Sequence, residues 1–297
     1  MPAQRVDAPF ILVLGIAQDA GYPQAGCEKE CCAAAWRDPS RRRSITSLAI
    51  VDPLSRQRWL IECTPDFREQ LQMLDDIAPP AQDTREADLD GILLTHAHVG
   101  HYAGLIHLGR EAIGADHVPV FAMPRMKAFL ESNGPWDQLV SLGNIELREM
   151  KADTAIQLND RIAVTPFVVP HRDEYSETVG FRIDGPNRSI LFIPDIDKWV
   201  KWDRRIEDVI AEVDVAYLDG TFYANGEIPG RDMSEIPHPF IEESMLRFAS
   251  LPAKERAKAR FIHLNHTNPA LRADSDARAA IEAAGMNVAS EGDRDPL

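Results

Sequence analysis

The segment Thr95-His96-Ala97-His98-Val99-Gly100-His101-Tyr102-Ala103-Gly104 places three imidazoles within six positions. Neutral imidazole nitrogen binds zinc and similar ions at about 2.0–2.1 Å. Two histidines two apart on an extended segment point to the same side, so His96 and His98 can share one ion, and His101 can address a neighbouring one. A solvated polar loop of satisfied histidines is the plainer alternative, but it suits a lone histidine better than this cluster. Further candidate donors end β-like runs: His171 after residues 161–170, Asp195 after residues 189–194, and His263 in Phe261-Ile-His-Leu. Imidazoles with a bridging carboxylate hold divalent metals and leave a position open for water, as metal-assisted hydrolysis requires.

A second group of soft donors lies near the start. Cys27, Cys31 and Cys32 form C-x3-C-C in a glycine-bounded stretch, read as a cysteine-rich loop at 26–36. Four cysteines are too few for a disulfide scaffold, so metal binding competes with free or redox-active thiols. Three thiolates converging on one zinc need a fourth ligand. Cys63 reads as a buried small residue at a strand end, or as a reactive thiol if its pKa is lowered. His238, between Pro237 and Pro239, either reaches a substrate as an acid or sits exposed, the simpler case. Arg172 and Tyr175 either bind an anionic substrate or, for the arginine, pair with Asp173 or Glu174. His107 and His117 read as structural or exposed.

The elements needed to position these groups follow from periodicity and punctuation. Residues 10–15 form a short apolar run with a glycine stop, a buried strand. Residues 47–52 and 58–63 read as a hairpin, followed by an N-cap at Thr64, a proline at the first helical position and a helix to about Leu74. Residues 88–95 read as a strand that delivers the histidine triplet into a helix running through Ile113. Strands are expected at 145–151, 161–170, 178–183, 189–194, 213–218, 261–264 and 286–289, and helices at 125–132, 203–212, 241–249 and 271–284. Strand blocks with interspersed helices in both halves suggest two packed sheets with helices outside. The Gly-, Pro- and charge-rich stretch 221–239 reads as a long loop covering a site.

With these residues in place, the chain resembles the metallo-β-lactamase-fold hydrolases, whose motif is H-x-H-x-D-H followed by a glycine. The resemblance implies a four-layer αββα sandwich as one domain over 1–297. It also implies a first metal site of His96, His98 and His171, a bridging Asp195, and a second site drawing on His101, Asp195 and His263. Gly100 stands at the motif aspartate, so the second site is expected to be weaker, and Gly100→Asp to bind more metal there. The resemblance narrows to the pyrroloquinoline-quinone biosynthesis B group through Leu14-Gly15, Gly21-Tyr-Pro-Gln24 and Pro170-His-Arg-Asp-Glu-Tyr-Ser-Glu-Thr-Val-Gly-Phe181. Similarity to phosphonate-pathway cyclic phosphodiesterases of the same fold implies that His266, three residues beyond His263, joins Cys27, Cys31 and Cys32 in a structural zinc site. Asp219, in Leu218-Asp-Gly-Thr-Phe222, is similar to the acidic motif that supports the metal histidines in ribonuclease-Z-like relatives; its plain reading is a turn cap.

Composition bounds the rest. The 297 residues are 44% hydrophobic and 27% charged, ordinary globular usage that gives no support to a disordered chain. A formal charge of −15 repels a phosphate backbone, so nucleic acid is not expected as a partner. No signal peptide or membrane span is expected, and the chain reads as cytoplasmic, with a small-molecule substrate and a homodimer left open. The expected activity is metal-dependent hydrolysis of an ester, phosphodiester or related bond. One or two catalytic Zn2+ ions are expected, with Fe2+ or Mn2+ as alternatives. Asp195 would orient the nucleophile, and Asp195, Asp219 or solvent would act as base. The rivals are an Fe(II)-dependent oxygen-using enzyme and a non-catalytic metal-stabilised binding or carrier protein.

Overall fold

The computed structural model describes residues 8–80 and 88–297; residues 1–7 and 81–87 of the expected 1–297 domain lie outside it. Two seven-stranded sheets face each other. The first holds β1 (Phe10–Gly15), β2 (Ser47–Asp52), β3 (Gln57–Ile61), β4 (Gly91–Leu93), β5 (Val118–Ala122), β6 (Ile145–Glu149) and, beside β1, β14 (Arg294–Pro296). The second holds β7 (Ile156–Gln157), β8 (Ala163–Val168), β9 (Val179–Asp184), β10 (Ser189–Ile193), β11 (Val215–Asp219), β12 (Ala259–Ile262) and β13 (Asn287–Val288), in spatial order. Between the sheets, Ile11, Val13, Ile50 and Trp59 of the first join Phe167, Phe181, Leu191 and Tyr217 of the second in one buried cluster. Such apolar burial, at about 25 cal/mol per Å2, is the main force holding the layers together.

Helices cover both outer faces. Helices α2 (Phe67–Ile77), α4 (Pro124–Ser132) and α5 (Trp136–Ser141) bury Phe67, Leu74, Met126, Leu130 and Leu139 against the first sheet. Helices α6 (Ile206–Ala211), α7 (Ile241–Phe248) and α8 (Asp276–Ala283) bury Ile206, Ile210, Ile241, Phe248 and Ile281 against the second. The architecture is the four-layer αββα sandwich expected from the sequence.

Strand direction determines where function can sit. β1 and β3 each run antiparallel to β2, and β4 runs parallel to β3, so β1, β3 and β4 end on the same side. In the second sheet β8 and β10 flank the antiparallel β9, and β10, β11 and β12 are parallel. Their carboxyl ends meet those of the first sheet, and the side chains beyond carboxyl ends are the usual place for a ligand in α/β sheets.

Several local expectations are corrected. The triplet leads into only a four-residue helix, α3 (Val99–Tyr102), followed by a 3-10 stretch Ala103–Leu108, because Gly104, Gly109 and Gly114 interrupt the run; Gly114 adopts φ +64°. The cysteine loop is half helix: α1 (Glu30–Arg37) carries Cys31 and Cys32 in its first turn. Strand β4 is three residues long rather than eight. α2 begins at Phe67 and ends at Ile77, with the Thr64 hydroxyl accepting from the Asp66 amide. No helix among the described residues is long and apolar enough to cross a membrane.

Candidate metal centre

Beyond β4, Leu94 and Thr95 extend the chain to His96, which is buried; His98 precedes α3 and His101 lies within it. His171 follows β8, Asp195 follows β10, and His263 follows β12 with φ +66°. A left-handed backbone at a non-glycine residue costs about 1–3 kcal/mol and clusters at functional sites. The sequence expected these side chains to meet, and they do. His96 Nε2 is 3.3 Å from Asp195 Oδ2, His171 Nε2 is 3.2 Å from Asp195 Oδ1, and His98 Nδ1 is 3.8 Å from Asp195 Oδ2. Across the carboxylate, His101 Nε2 is 3.9 Å from Asp195 Oδ2, and the rings of His101 and His263 lie 5.3 Å apart.

The other nitrogen of each imidazole faces a polar group, within hydrogen-bond reach for His96, His98 and His263 and at ion-pair distance without a hydrogen bond for His101 and His171. Thr95 Oγ1 lies 2.8 Å from His96 Nδ1 and Thr221 Oγ1 lies 3.0 Å from His263 Nδ1. Glu174 Oε2 is 3.3 Å from His98 Nε2, Glu62 Oε1 is 3.3 Å from His101 Nδ1, and Asp197 Oδ1 is 3.4 Å from His171 Nδ1. Such partners fix ring orientation and tautomer. What remains is a set of buried atoms without hydrogen bonds: Nε2 of His96, His101, His171 and His263, Nδ1 of His98, Oδ1 of Asp195 and Oδ1 of Asp19. Buried polar atoms left unpaired cost about 1–3 kcal/mol each, so this convergence demands a partner. Two atoms bound at about 2.0–2.1 Å to one tetrahedral ion lie about 3.4 Å apart, close to the spacings around Asp195. The donors fit divalent metal.

At the first position the electrostatics agree; at the second, burial would lower His101, but Glu62 and Asp19 outweigh it and hold that imidazole well above its ordinary value. Burial works against charge on Asp195, but His171, His238 and His263 outweigh it and hold the carboxyl well below its usual range. Burial and the neighbouring His101 keep His96 well below the ordinary imidazole value, hence neutral and able to bind metal.

A model of the beta-lactamase superfamily domain matches residues 57–264, which include His96, His98, His101, His171, Asp195 and His263. The chain belongs to the beta-lactamase superfamily. Coenzyme PQQ synthesis protein B of Methylobacterium nodulans is 29% identical to it over 95% of this chain and 97% of the relative. The protein of the same name from Xanthomonas campestris is 28% identical over 95% and 98%. The crystal structure of Zn(2+)-bound PqqB from Methylobacterium extorquens matches with a TM-score of 0.82 at 25% identity, covering 97% of this chain and 100% of that one. A diphosphatase from the PhnP family shares the fold at TM-score 0.66 and 21% identity, with 97% of each chain covered.

Against the superfamily motif, Gly100 leaves no empty space. A Cβ built there would meet Asp19 Oδ1 at 2.2 Å and Asp19 Cα at 2.5 Å. The expectation that Gly100→Asp would simply add a ligand is therefore corrected: the position is blocked by Asp19, from the loop after β1. Asp19 Oδ1 lies 3.1 Å from His101 Nε2 and 3.8 Å from His263 Nε2. Sequence reasoning missed Asp19, Glu62 and Asp197; the cue for the first was the glycine itself, which called for a carboxylate from another loop.

The remaining candidates divide. His238 is buried, contrary to the simpler expectation of exposure: its Nδ1 lies 2.8 Å from Asp219 Oδ2 and 3.2 Å from Asp195 Oδ1. Burial would lower its pKa, but Asp219 and Asp195 push it up to about 9. Asp219 is both turn cap and support. It accepts from the Thr221 amide and hydroxyl and from the Ile196 amide, and Thr221 in turn touches His263, so its oxygens have partners already. Arg172 is exposed and 3.7 Å from Glu174, which in turn lies 3.3 Å from half-buried His98, and Tyr175 is 63% exposed with its ring against Phe129. Cys63 is fully buried, and burial, with Glu62, pushes its thiol well up, so the reactive reading fails. His107 stacks on Phe67 and His117 is exposed beside Asp116.

Cys27, Cys31, Cys32 and His266 form a separate group whose ligand atoms all lie within 4.8 Å of one another. Cys27 Sγ and Cys31 Sγ are 3.7 Å apart, far from a disulfide and close to the about 3.8 Å edge of a tetrahedral zinc–thiolate site. Burial and the neighbouring thiols raise Cys32 to about 12; Cys27, despite burial, is lowered by hydrogen bonds from the Lys29 amide and the adjacent thiols. Burial lowers His266, keeping it neutral.

Proposed function

We propose that the chain is a metal-dependent hydrolase acting on an ester, phosphodiester or related bond of a small molecule. The supporting observation is the convergence of buried, unpaired imidazole nitrogens and carboxylate oxygens on both sides of Asp195. His96, His98, His171 and Asp195 would hold one ion, with His101 and His263 facing a second position. A divalent ion bound there would polarise a substrate oxygen and lower the pKa of a bound water toward about 7. Asp195 would orient the nucleophile, and Asp219 would hold His238 as a proton donor through its Nδ1, leaving Nε2 for the substrate. His98 lies on the open side, where Arg172 and Tyr175 would meet the substrate. The cysteine group with His266 would hold a structural zinc.

The test is turnover of bis(p-nitrophenyl) phosphate and p-nitrophenyl esters by protein loaded with Zn2+, Mn2+ or Fe2+. Turnover that falls at least about a hundredfold in His98→Ala, with the fold retained, is expected. Turnover unchanged in that variant, or absent with every metal, contradicts the reading. A second reading, an Fe(II)-dependent oxygen-using enzyme, draws support from a centre built only of imidazole and carboxylate and from the similarity to coenzyme PQQ synthesis protein B. Oxygen uptake by anaerobically purified protein only when iron is supplied would favour it over hydrolysis.

A further inference from the structure

We propose that Asp19 is a ligand of the second metal position, its carboxylate supplied from the loop after β1 in exchange for the one that Gly100 lacks. This rests on the reading of the histidine cluster as a metal centre. Asp19, His101 and His263 place one donor atom each within 4.8 Å of the others. Asp19 Oδ1 and the Nε2 atoms of both histidines are buried without hydrogen-bond partners. All three therefore bring donors without hydrogen bonds close together, with Asp195 Oδ2 beside the group, 3.9 Å from His101 Nε2.

The exchange is sterically obligatory. The Asp19 Cα lies 2.5 Å and its Cβ 2.9 Å from a Cβ built on residue 100, so the backbone of one loop occupies the origin of any side chain on the other. Glycine at 100 is what lets Asp19 approach. Nor is Asp19 a stray loop carboxylate. The Gln18 amide donates to the Leu264 carbonyl at 2.9 Å and the Leu264 amide to the Ile16 carbonyl at 2.8 Å, so the residue before Asp19 is tied to the residue after His263. Glu62, buried and at φ +73°, faces the other nitrogen of His101 and turns Nε2 toward Asp19. A mere Asp19–His101 ion pair would account for one contact, but not for the unpaired His263 nitrogen facing the same oxygen.

The experiment measures zinc bound per full-length chain by equilibrium dialysis and elemental analysis, with thermal melting of each variant alongside. Asp19→Asn, close in shape, is expected to lose about one ion relative to the unsubstituted protein while melting cooperatively. Gly100→Ala, which leaves Asp19 in the chain but drives it away, is expected to lose the same ion. Asp19→Gly/Gly100→Asp, which moves the carboxylate to the other loop, is expected to recover it. If Asp19→Asn and Gly100→Ala bind as much zinc as the unsubstituted protein with unchanged affinity, or if the double exchange recovers none while folding, the inference is overturned. His98→Ala separates the two claims: loss of zinc in that variant but not in Asp19→Asn overturns the role of Asp19 alone, whereas no loss in either removes the metal centre itself.

Discussion

The cysteine group and the histidine centre share two segments of chain, yet they are opposite kinds of site. The stretch after β1 carries Asp19 and then Cys27, Cys31 and Cys32; the stretch after β12 carries His263 and then His266. The cysteine group offers four donors, as many as a tetrahedral ion takes, and is expected to close around it. The histidine centre offers imidazoles and carboxylates in overlapping sets that share Asp195, and it opens toward solvent at half-buried His98. Donor softness and donor count thus separate a proposed site for stability from a proposed site for chemistry.

That contrast breaks most easily at Cys32, fully buried at the start of α1. An ion held at about a thousand times its dissociation constant adds about 4 kcal/mol to stability, so Cys32→Ser is expected to lower the melting temperature by about 10 °C. His98→Ala is expected to shift it far less while removing turnover. Equal melting temperatures for Cys32→Ser and the unsubstituted protein would leave the cysteines without a structural role.

A smaller effect is expected one step out from the donors. Asp197→Asn, facing His171 Nδ1 at 3.4 Å, and Glu62→Gln, facing His101 Nδ1 at 3.3 Å, should each weaken metal binding about 10- to 100-fold, read by competition with a chromophoric chelator. Loss of zinc from the cysteine group in either variant would contradict the separation of the two sites.

The smallest effect concerns the loop carrying His238. Glu227 binds the Thr267 hydroxyl and accepts from the Tyr223 amide at 2.6 Å; desolvation pushes it up to about 7 from 4.5, with those hydrogen bonds pulling the other way. Its folded pKa is raised, so its contribution to stability is complete below about pH 4.5 and is lost as pH rises through about 7. Glu227→Gln, which mimics the protonated acid, should match the unsubstituted protein near pH 5 and melt higher above pH 7. Parallel melting curves across that window would show that Glu227 does not titrate as described.

Much of the centre was legible because its donors follow recognisable apolar runs. His96, His171, Asp195 and His263 each stand within three residues of the end of a strand, where chain direction alone brings them together. Asp19 and Asp197 escaped notice because an acidic residue in a polar loop looks like solvated surface; only the fold shows that the loop after β1 and the position two beyond Asp195 also face the histidines. Glu62 closes a strand-like run, but its orientation depends on a left-handed backbone that periodicity does not reveal. In the fold, α1 was missed although Glu30-Cys-Cys-Ala-Ala-Ala-Trp-Arg37 has an acidic start, an alanine-rich middle and a basic end, because the cysteines drew the stretch toward a loop. β5 was missed within a short run that its Pro119 disguises.

The central claim, two separate metal sites of different kind, is tested most directly by anomalous diffraction from crystals of the full-length protein grown with zinc and measured on either side of the zinc edge. The account predicts one peak enclosed by Cys27, Cys31, Cys32 and His266. It predicts separate density between His96, His98, His171 and Asp195, with a further peak facing Asp19, His101 and His263. A zinc peak at the cysteines with none among the histidines, or none at either place, would contradict it.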